Sequence, residues 1–476
     1  ERIHLDCELS PSNGEKELKT LVNSRYLDIN GTFILGDDLR LKNPNHPLKI
    51  KWAMTESSLQ AVENWRHFSS PSFFVNNVAI LKMKARTLTL PLDLTLSKAI
   101  FDTSIKIKKL DFQEVGSEEN IILSGFDFTF KKKSVEAPLE FTLQGKINYD
   151  ALNETGHMQA DGKYHLSNFS ITTHASIKNL PTVLIDHLAK IKSTSNFIPS
   201  IFLGDRMNAT LDANIQNKMG SIKMNIDATS CKASLSGTLT DGIFTLTAPL
   251  EASLTITSEL TEALDKNGSV KISSVHKPIT LSIEEKGFSI PIDNISLRTI
   301  KIQKGSIDFG QITSENRGNT SAVGSIFKLR GNNSVSLWFT PLDFKLHRGI
   351  MEIERTEILY NDAYQIAIWG NLDFNQHYAN LSLGLTAQSL KSALGIGKLG
   401  SSYVLEIPLR GPFGNVKVDK AAATTQIAFL IAKSQAVSSK AGTGVLGKVI
   451  GVIGELSHNQ KNIPPEKPPF PWGTKK

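Results

Sequence analysis

The stretch SVSLWFTPLDFKLHRG occupies Ser334–Gly349. Its apolar residues alternate, first Val335, Leu337 and Phe339, then Leu342, Phe344 and Leu346. That period belongs to a strand with one buried face. Pro341 sits where the alternation passes from odd to even positions. Proline cannot donate to a β-ladder, and sheets confine it to edges, strand starts and bulges. The spacing therefore predicts a bulge at Pro341.

The same grouping, proline then Leu or Ile then a charged residue, begins at Pro47, Pro91, Pro138, Pro249, Pro291, Pro341 and Pro408. Chance at this composition would give about one. Most of the separations are 42 to 50 residues, a period that suggests a repeat array. In each copy the Leu or Ile takes the face opposite to the proline and the charge, because strand side chains alternate. The copy LTLPLDLTL places Leu88, Leu90, Leu92 and Leu94 on one face, and Leu250 and Leu254 share a face after Pro249. The motif fits two readings equally: a two-sided antiparallel sheet whose strands start with proline, or a long open-edged sheet whose outward proline and charge block edge-to-edge pairing. Further alternating strands run through Ile366 and Ile368 and through Leu381 and Leu383. Turn signals include Asp241-Gly242 and Arg348-Gly349.

Helical patterns are few. Thr55–Phe68, Val183–Ile191, Ser258–Asp265, Gln388–Leu394 and Ala421–Val437 read as helices. The predicted organisation is an N-terminal β segment with one helix (1–140), central β repeats (141–330), a C-terminal β segment (331–420), a helical segment (421–458) and a Pro-rich tail (459–476).

Composition narrows the function classes. The chain has 476 residues, 40% hydrophobic, so it can bury a core. Its net charge of +7 comes from lysines spread along the chain, which reads as a solvated surface with a weak pull toward anionic headgroups. Cys7 and Cys231 are too few for a disulfide scaffold and form no CxxC. No apolar run reaches the length of a bilayer span. GTGVLGKV at Gly442–Val449 approximates a phosphate loop, but Val449 stands where Ser or Thr must hold magnesium. Asp308-Phe309-Gly310 has none of a kinase's companion motifs. No HExxH or GxSxG occurs, and basic residues do not cluster with aromatics. The residues thus point to no catalytic group, metal ligand, cofactor or nucleic-acid contact.

One region carries a resemblance. PLDFKLHRGIMEIERTEILYNDAYQIAIWGNLDFNQHYANLSLGLTAQSLKSAL, followed by YVLEIPLRGPFGNVKVD, resembles the C-terminal region of the AsmA-like proteins of the bacterial envelope, the group that includes TamB and YhdP. The features are a strand ending in the Arg348-Gly349 turn, a strand pair enclosing Gly370, alternating leucines, a short helix, and Ile407-Pro408-Leu409-Arg410-Gly411 leading to Val418. This chain lacks the second proline that the family usually shows after Gly411. The likeness covers about residues 330–420; before that it is one of texture.

The resemblance implies a mainly β fold: an elongated, twisted antiparallel sheet forming a hydrophobic groove, with a few short helices. It implies a periplasmic protein of a diderm bacterium, anchored in the inner membrane by a segment upstream of Glu1, that binds or conducts phospholipids between the two membranes. Inner- or outer-membrane proteins would be its partners. The expected lining for phospholipid acyl chains is Leu88, Leu90, Leu92, Leu94, Leu250, Leu254, Val335, Leu337, Phe339, Ile366, Ile368, Leu381 and Leu383. The alternative is an envelope scaffold of β-sandwich modules, in which the apolar faces cover each other and hold no lipid.

Overall fold

A computed structural model describes residues 4–438, apart from 13–14, 56–72, 76–77, 94, 96, 115–119, 150–151, 166–167, 169, 187–197, 265–271, 328–332, 398 and 401–402. The expected helix over Thr55–Phe68 lies almost wholly outside the described residues, as do the stretch Gly442–Val449 and the Pro-rich tail. The protein is mainly β, with antiparallel pairing throughout and short helices. Its contacts divide it into two units, Glu1–Gly242 and Ile243–Lys476.

The first unit contains β1 (His4–Ser12), β2 (Glu15–Asn23), β3 (Leu27–Leu35), β4 (Asp38–Leu41), β5 (Leu48–Met54), β6 (Phe73–Val75), β7 (Ala79–Pro91) and β8 (Ile100–Glu114). It continues with β9 (Asn120–Lys132), β10 (Leu139–Tyr149), β11 (Leu152–His165), β12 (Ser170–Pro181), β13 (Arg206–Gln216), β14 (Met219–Ala228) and β15 (Cys231–Thr240). Pairing follows the chain as a meander, β1-β2-β3-β5-β7 and then β8 to β15 in order. Short β4 bridges β3 and β7, and β6 lies on β8.

Tight turns make this possible. Asn217 and Lys218, between β13 and β14, both have positive φ, which gives the hairpin the twist of its strands. Burial alternates with the pleat: on β14, Ile222, Met224 and Ile226 are half-buried while Ser221, Lys223, Asn225 and Asp227 are exposed. The polar face carries directly opposed ion pairs, Lys106–Asp127 at 2.6 Å, Lys163–Glu140 at 3.5 Å and Lys131–Asp102 at 3.8 Å. Exposed pairs are worth about 0–1 kcal/mol each, so they favour a register more than they add stability. One lysine departs from the solvated pattern. Lys132 is 2% exposed, its ammonium donates to the carbonyls of Ser97 (2.6 Å) and Ala99 (3.1 Å), and burial pushes its pKa down.

The second unit contains β16 (Ile243–Leu246), β17 (Leu250–Leu254), β18 (Ile272–Val275), β19 (Ile279–Ile283), β20 (Ile290–Pro291), β21 (Ile302–Asp308) and β22 (Gln311–Glu315). Then follow β23 (Ser334–Phe339), β24 (Leu342–His347), β25 (Ile350–Tyr360), β26 (Tyr364–Asp373), β27 (Tyr378–Thr386), β28 (Val404–Pro412) and β29 (Lys417–Val418). Among the described residues the helices are α1 (Pro199–Leu203) in the first unit and α2 (Ser258–Leu264), α3 (Gly318–Ile326), α4 (Ala387–Leu394) and α5 (Lys420–Ser438) in the second. Of the expected Val183–Ile191 helix, residues 183–186 are helical and the rest lie outside the described residues.

The interruption at Pro341 belongs to a line of them. β18 breaks from β19 at residues 276–278, β21 from β22 at Phe309–Gly310, and β23 from β24 at Thr340–Pro341. One side of the line pairs as β19-β21-β24-β25, the other as β18-β22-β23-β25. The His276 amide donates to Gln311 O (3.1 Å), Phe339 to Gly310 O (2.9 Å) and Thr340 to Glu357 O (3.0 Å), so the seam stays bonded. β25 runs across it, with its own irregularity against β26 between Ile353 and Thr356. Irregularities at matching positions let neighbouring strands change phase together, which keeps the apolar face continuous and bends the sheet.

The prolines of the motif favour the reading in which they mark strand ends. Pro47, Pro138, Pro249 and Pro341 each stand immediately before a strand, and Pro91 and Pro291 each end one. The proline mainly punctuates strand ends, where its missing N–H costs no ladder bond. Pro408 alone lies inside a strand, opposite Ser382, and its carbonyl accepts from the Asp419 amide at 3.0 Å.

The second unit's core lies between sheet and helices. Val335, Leu337, Ile358, Tyr360, Ile366, Leu383, Leu385 and Ile407 from the sheet pack with Ala322 and Val323 of α3, Leu390 of α4, and Ala423 and Leu430 of α5. The Tyr360 hydroxyl donates to Thr320 O at 2.8 Å, and burial pushes its pKa up to about 12. The Thr386 side chain caps α4 by accepting from the Ser389 amide, and Gly395 closes that helix in the left-handed conformation. Gly370, noted in the sequence, has φ +129°, and a Cβ there would lie 2.4 Å from Asn380 O. Gly370→Ala is expected to cost about 2–4 kcal/mol, read as a lower urea midpoint for hydrogen-exchange protection of β26 and β27.

Candidate functional site

The register of the first unit aligns apolar residues across its whole ladder. Leu5 faces Val22, Val22 faces Ile29, Ile29 faces Ile50, Ile50 faces Met83, and Met83 faces Ile105. The row continues through Phe128, Leu143, Ala160, Ala175 and Leu211 to Met224 and Leu235. At ~4.8 Å between strands, this is about 58 Å of unbroken apolar row measured along the ladder. A flanking row runs through Trp52, Leu81, Ile107 and Phe126, and resumes past a bulge at Met158, Ile177, Ala209, Ile226 and Ala233. The Phe126 ring fills the space over Gly145, where a Cβ would lie 2.6 Å from it. An aromatic ring over a strand glycine keeps such a face apolar where a side chain is missing.

Among the described residues, this face is less enclosed than the core of the second unit. From Ile29 to Leu235 the main row is half-buried, and Leu5 at its end is 63% exposed. One margin is covered. Val183, Leu184 and Ile185 of the helical turn and Leu203 of α1 pack near Ile147, Leu180, Met207 and Ala228. That cover is tied down by the Ser200 amide on Asp186 Oδ1 (2.7 Å) and the Ser230 amide on Leu203 O (2.9 Å). A two-sided sheet with a wide, half-open apolar face can solvate an apolar guest without any titrating group.

The expected lining residues separate into three sets. Leu88 and Leu90 are half-buried on β7; Leu88 packs near Phe33, Leu48 and Ala85, and Leu90 faces Leu39. Leu92 does not share their face: β7 ends at Pro91, and Leu92 is 60% exposed in a turn. In that turn Asp93 accepts from the Thr95 amide at 3.0 Å and pairs with Lys98 at 3.1 Å, which holds its carboxyl down at about 2. Leu94 lies outside the described residues. Leu250 and Leu254 are half-buried on β17, facing Ile283 and Ile279.

The third set lies in or against the second unit's packed cluster. Val335, Leu337, Ile366 and Leu383 are buried in the helix-covered core, and Phe339, Ile368 and Leu381 pack against it. Their strands were legible, but alternation alone does not say what covers a face. Phe128 and Met224 of the main row and Phe126 and Ile226 of the flanking row each lie on an alternating strand, and their cross-strand alignment needed the register. No helix among the described residues is long and apolar enough to cross a membrane. No family model, characterised protein or solved structure matches this chain.

Proposed function

We propose that the protein is an AsmA-like, groove-forming component of a diderm bacterial envelope that binds or conducts phospholipids in the periplasm through their acyl chains. The observation that supports this most is the half-open apolar row from Leu5 to Leu235. Transfer of one CH₂ from water into such a surface is worth about 0.8 kcal/mol, so a chain of some fifteen methylenes gains on the order of 12 kcal/mol before ordering costs. Headgroups would stay in water at the open margin. The process is passive and breaks no bond.

The closed core of the second unit favours a second reading for that unit, a packed scaffold element without lipid. Native mass spectrometry of the purified protein, with extraction and identification of lipids, tests the proposal. Several phospholipids per chain are expected. A folded, lipid-free chain of 52.2 kDa would move the whole protein to the scaffold reading.

A further inference from the structure

The opposite, polar face of the first unit carries a feature that acyl-chain binding does not use. Lys146, His157 and Lys178 stand directly across three neighbouring strands, β10, β11 and β12. All three are exposed. Lys146 and Lys178 thus flank His157 with no acid at an opposed position between them. Other opposed positions on this face are complementary, as in Lys106–Asp127, Glu140–Lys163 and His174–Asp212, and the opposed lysines of β5, β7 and β8 have acids beside them in Asp28 on Lys51 and Asp127 on Lys106. None of these three side chains has an ion-pair partner among the described residues. Asp127, the acid opposite Gln144, is already held by Lys106 at 2.6 Å.

The row opens onto a recess of about 660 Å³, lined by Lys146, His157 and Lys178 together with Gln144, Gln159 and Ser176. A bulge creates it. Between Asp127 and Ser124 on β9, Gly125 and Phe126 stand against the single residue Gly145 of β10. Gly125 is exposed at φ +60°, with no atom within 4 Å of where its Cβ would be, so the polar face lacks a side chain there. A basic stripe without counter-charge, beside a void edged by neutral donors, is complementary to a multiply charged oxyanion.

We propose that this recess binds a phosphate group of the phosphomonoester or pyrophosphate type, with Lys146 and Lys178 supplying charge and His157, Gln144, Gln159 and Ser176 supplying hydrogen bonds. The site lies on the face away from the acyl row, so its test is independent of lipid content. Calorimetric titration of the full chain with inorganic pyrophosphate gives one arm. Flotation with phosphatidylcholine vesicles containing phosphatidic acid gives the other. Two variants are compared, Lys146→Gln/Lys178→Gln, which removes charge, and Gly125→Asn, which fills the recess without changing charge and tolerates positive φ. Circular dichroism verifies folding, and if the lysine variant fails to fold, Gly125→Asn decides.

A loss of tenfold or more in pyrophosphate affinity in the folded variants supports a soluble phosphate ligand. A loss of vesicle flotation with no pyrophosphate heat in the wild type supports a lipid phosphate. Binding that is absent in both arms, or unchanged by both variants, overturns the proposal.

Discussion

Leu337→Asp or Leu383→Asp is expected to unfold the second unit. Leu337 is 9% exposed and Leu383 is 4% exposed, both beneath α3, α4 and α5. Removing a buried leucine side chain costs about 2–5 kcal/mol. A carboxylate placed there must either keep its charge out of water or take up a proton, which adds several kcal/mol. Domain stabilities are about 5–15 kcal/mol in total, so one such change consumes most or all of it. Hydrogen exchange of the intact chain checks this. Amides of β23 and β25–β28 should lose protection at neutral pH, while those of β10–β14 keep it. If β23–β28 stay protected, the helices do not seal that face.

From alternation alone, these two positions cannot separate a groove from a sandwich. The packing shows why they cannot. Val335, Leu337 and Phe339 alternate as the residues of an open trough wall would, and α3 over them has little sequence signature. Gly318-Asn319-Thr320-Ser321 is a poor helix start by propensity, and the segment is helical because Ala322, Val323 and Phe327 find a core to join. By contrast α4 was legible, since Thr386 and Gly395 are a cap and a stop that act locally. Strand periodicity was legible for a similar reason, because the pleat acts residue by residue. The seam at Pro341 could be read only in part. A phase change marked one bulge, but its alignment with Phe309–Gly310 and residues 276–278 is a property of pairing between segments far apart in the chain. The apolar row of the first unit was hidden in the same way. Each of its members lies on its own strand, and only the register of thirteen strands joins them.

That row supports the opposite expectation for Leu211→Asp combined with Met224→Asp. These residues face each other on β13 and β14, and both are half-buried. Each keeps a path to water, so a carboxylate there can stay hydrated. Losing half the burial of a side chain worth about 1.5–3 kcal/mol costs roughly 1 kcal/mol per site. Two carboxylates directly opposed add a further fraction of a kcal/mol through repulsion. The unit should therefore stay folded with a modestly lower melting temperature. An acyl chain crossing that point would have to strip water from both charges. A penalty of only 1.4 kcal/mol is a tenfold loss of occupancy, and desolvating a carboxylate costs more than that. Bound phospholipid, counted by native mass spectrometry, should fall at least tenfold at this position in a chain whose β10–β15 amides remain protected. Unfolding of the first unit would instead mean that its apolar face is a sealed core. Intact folding with unchanged lipid would remove the row from the binding path.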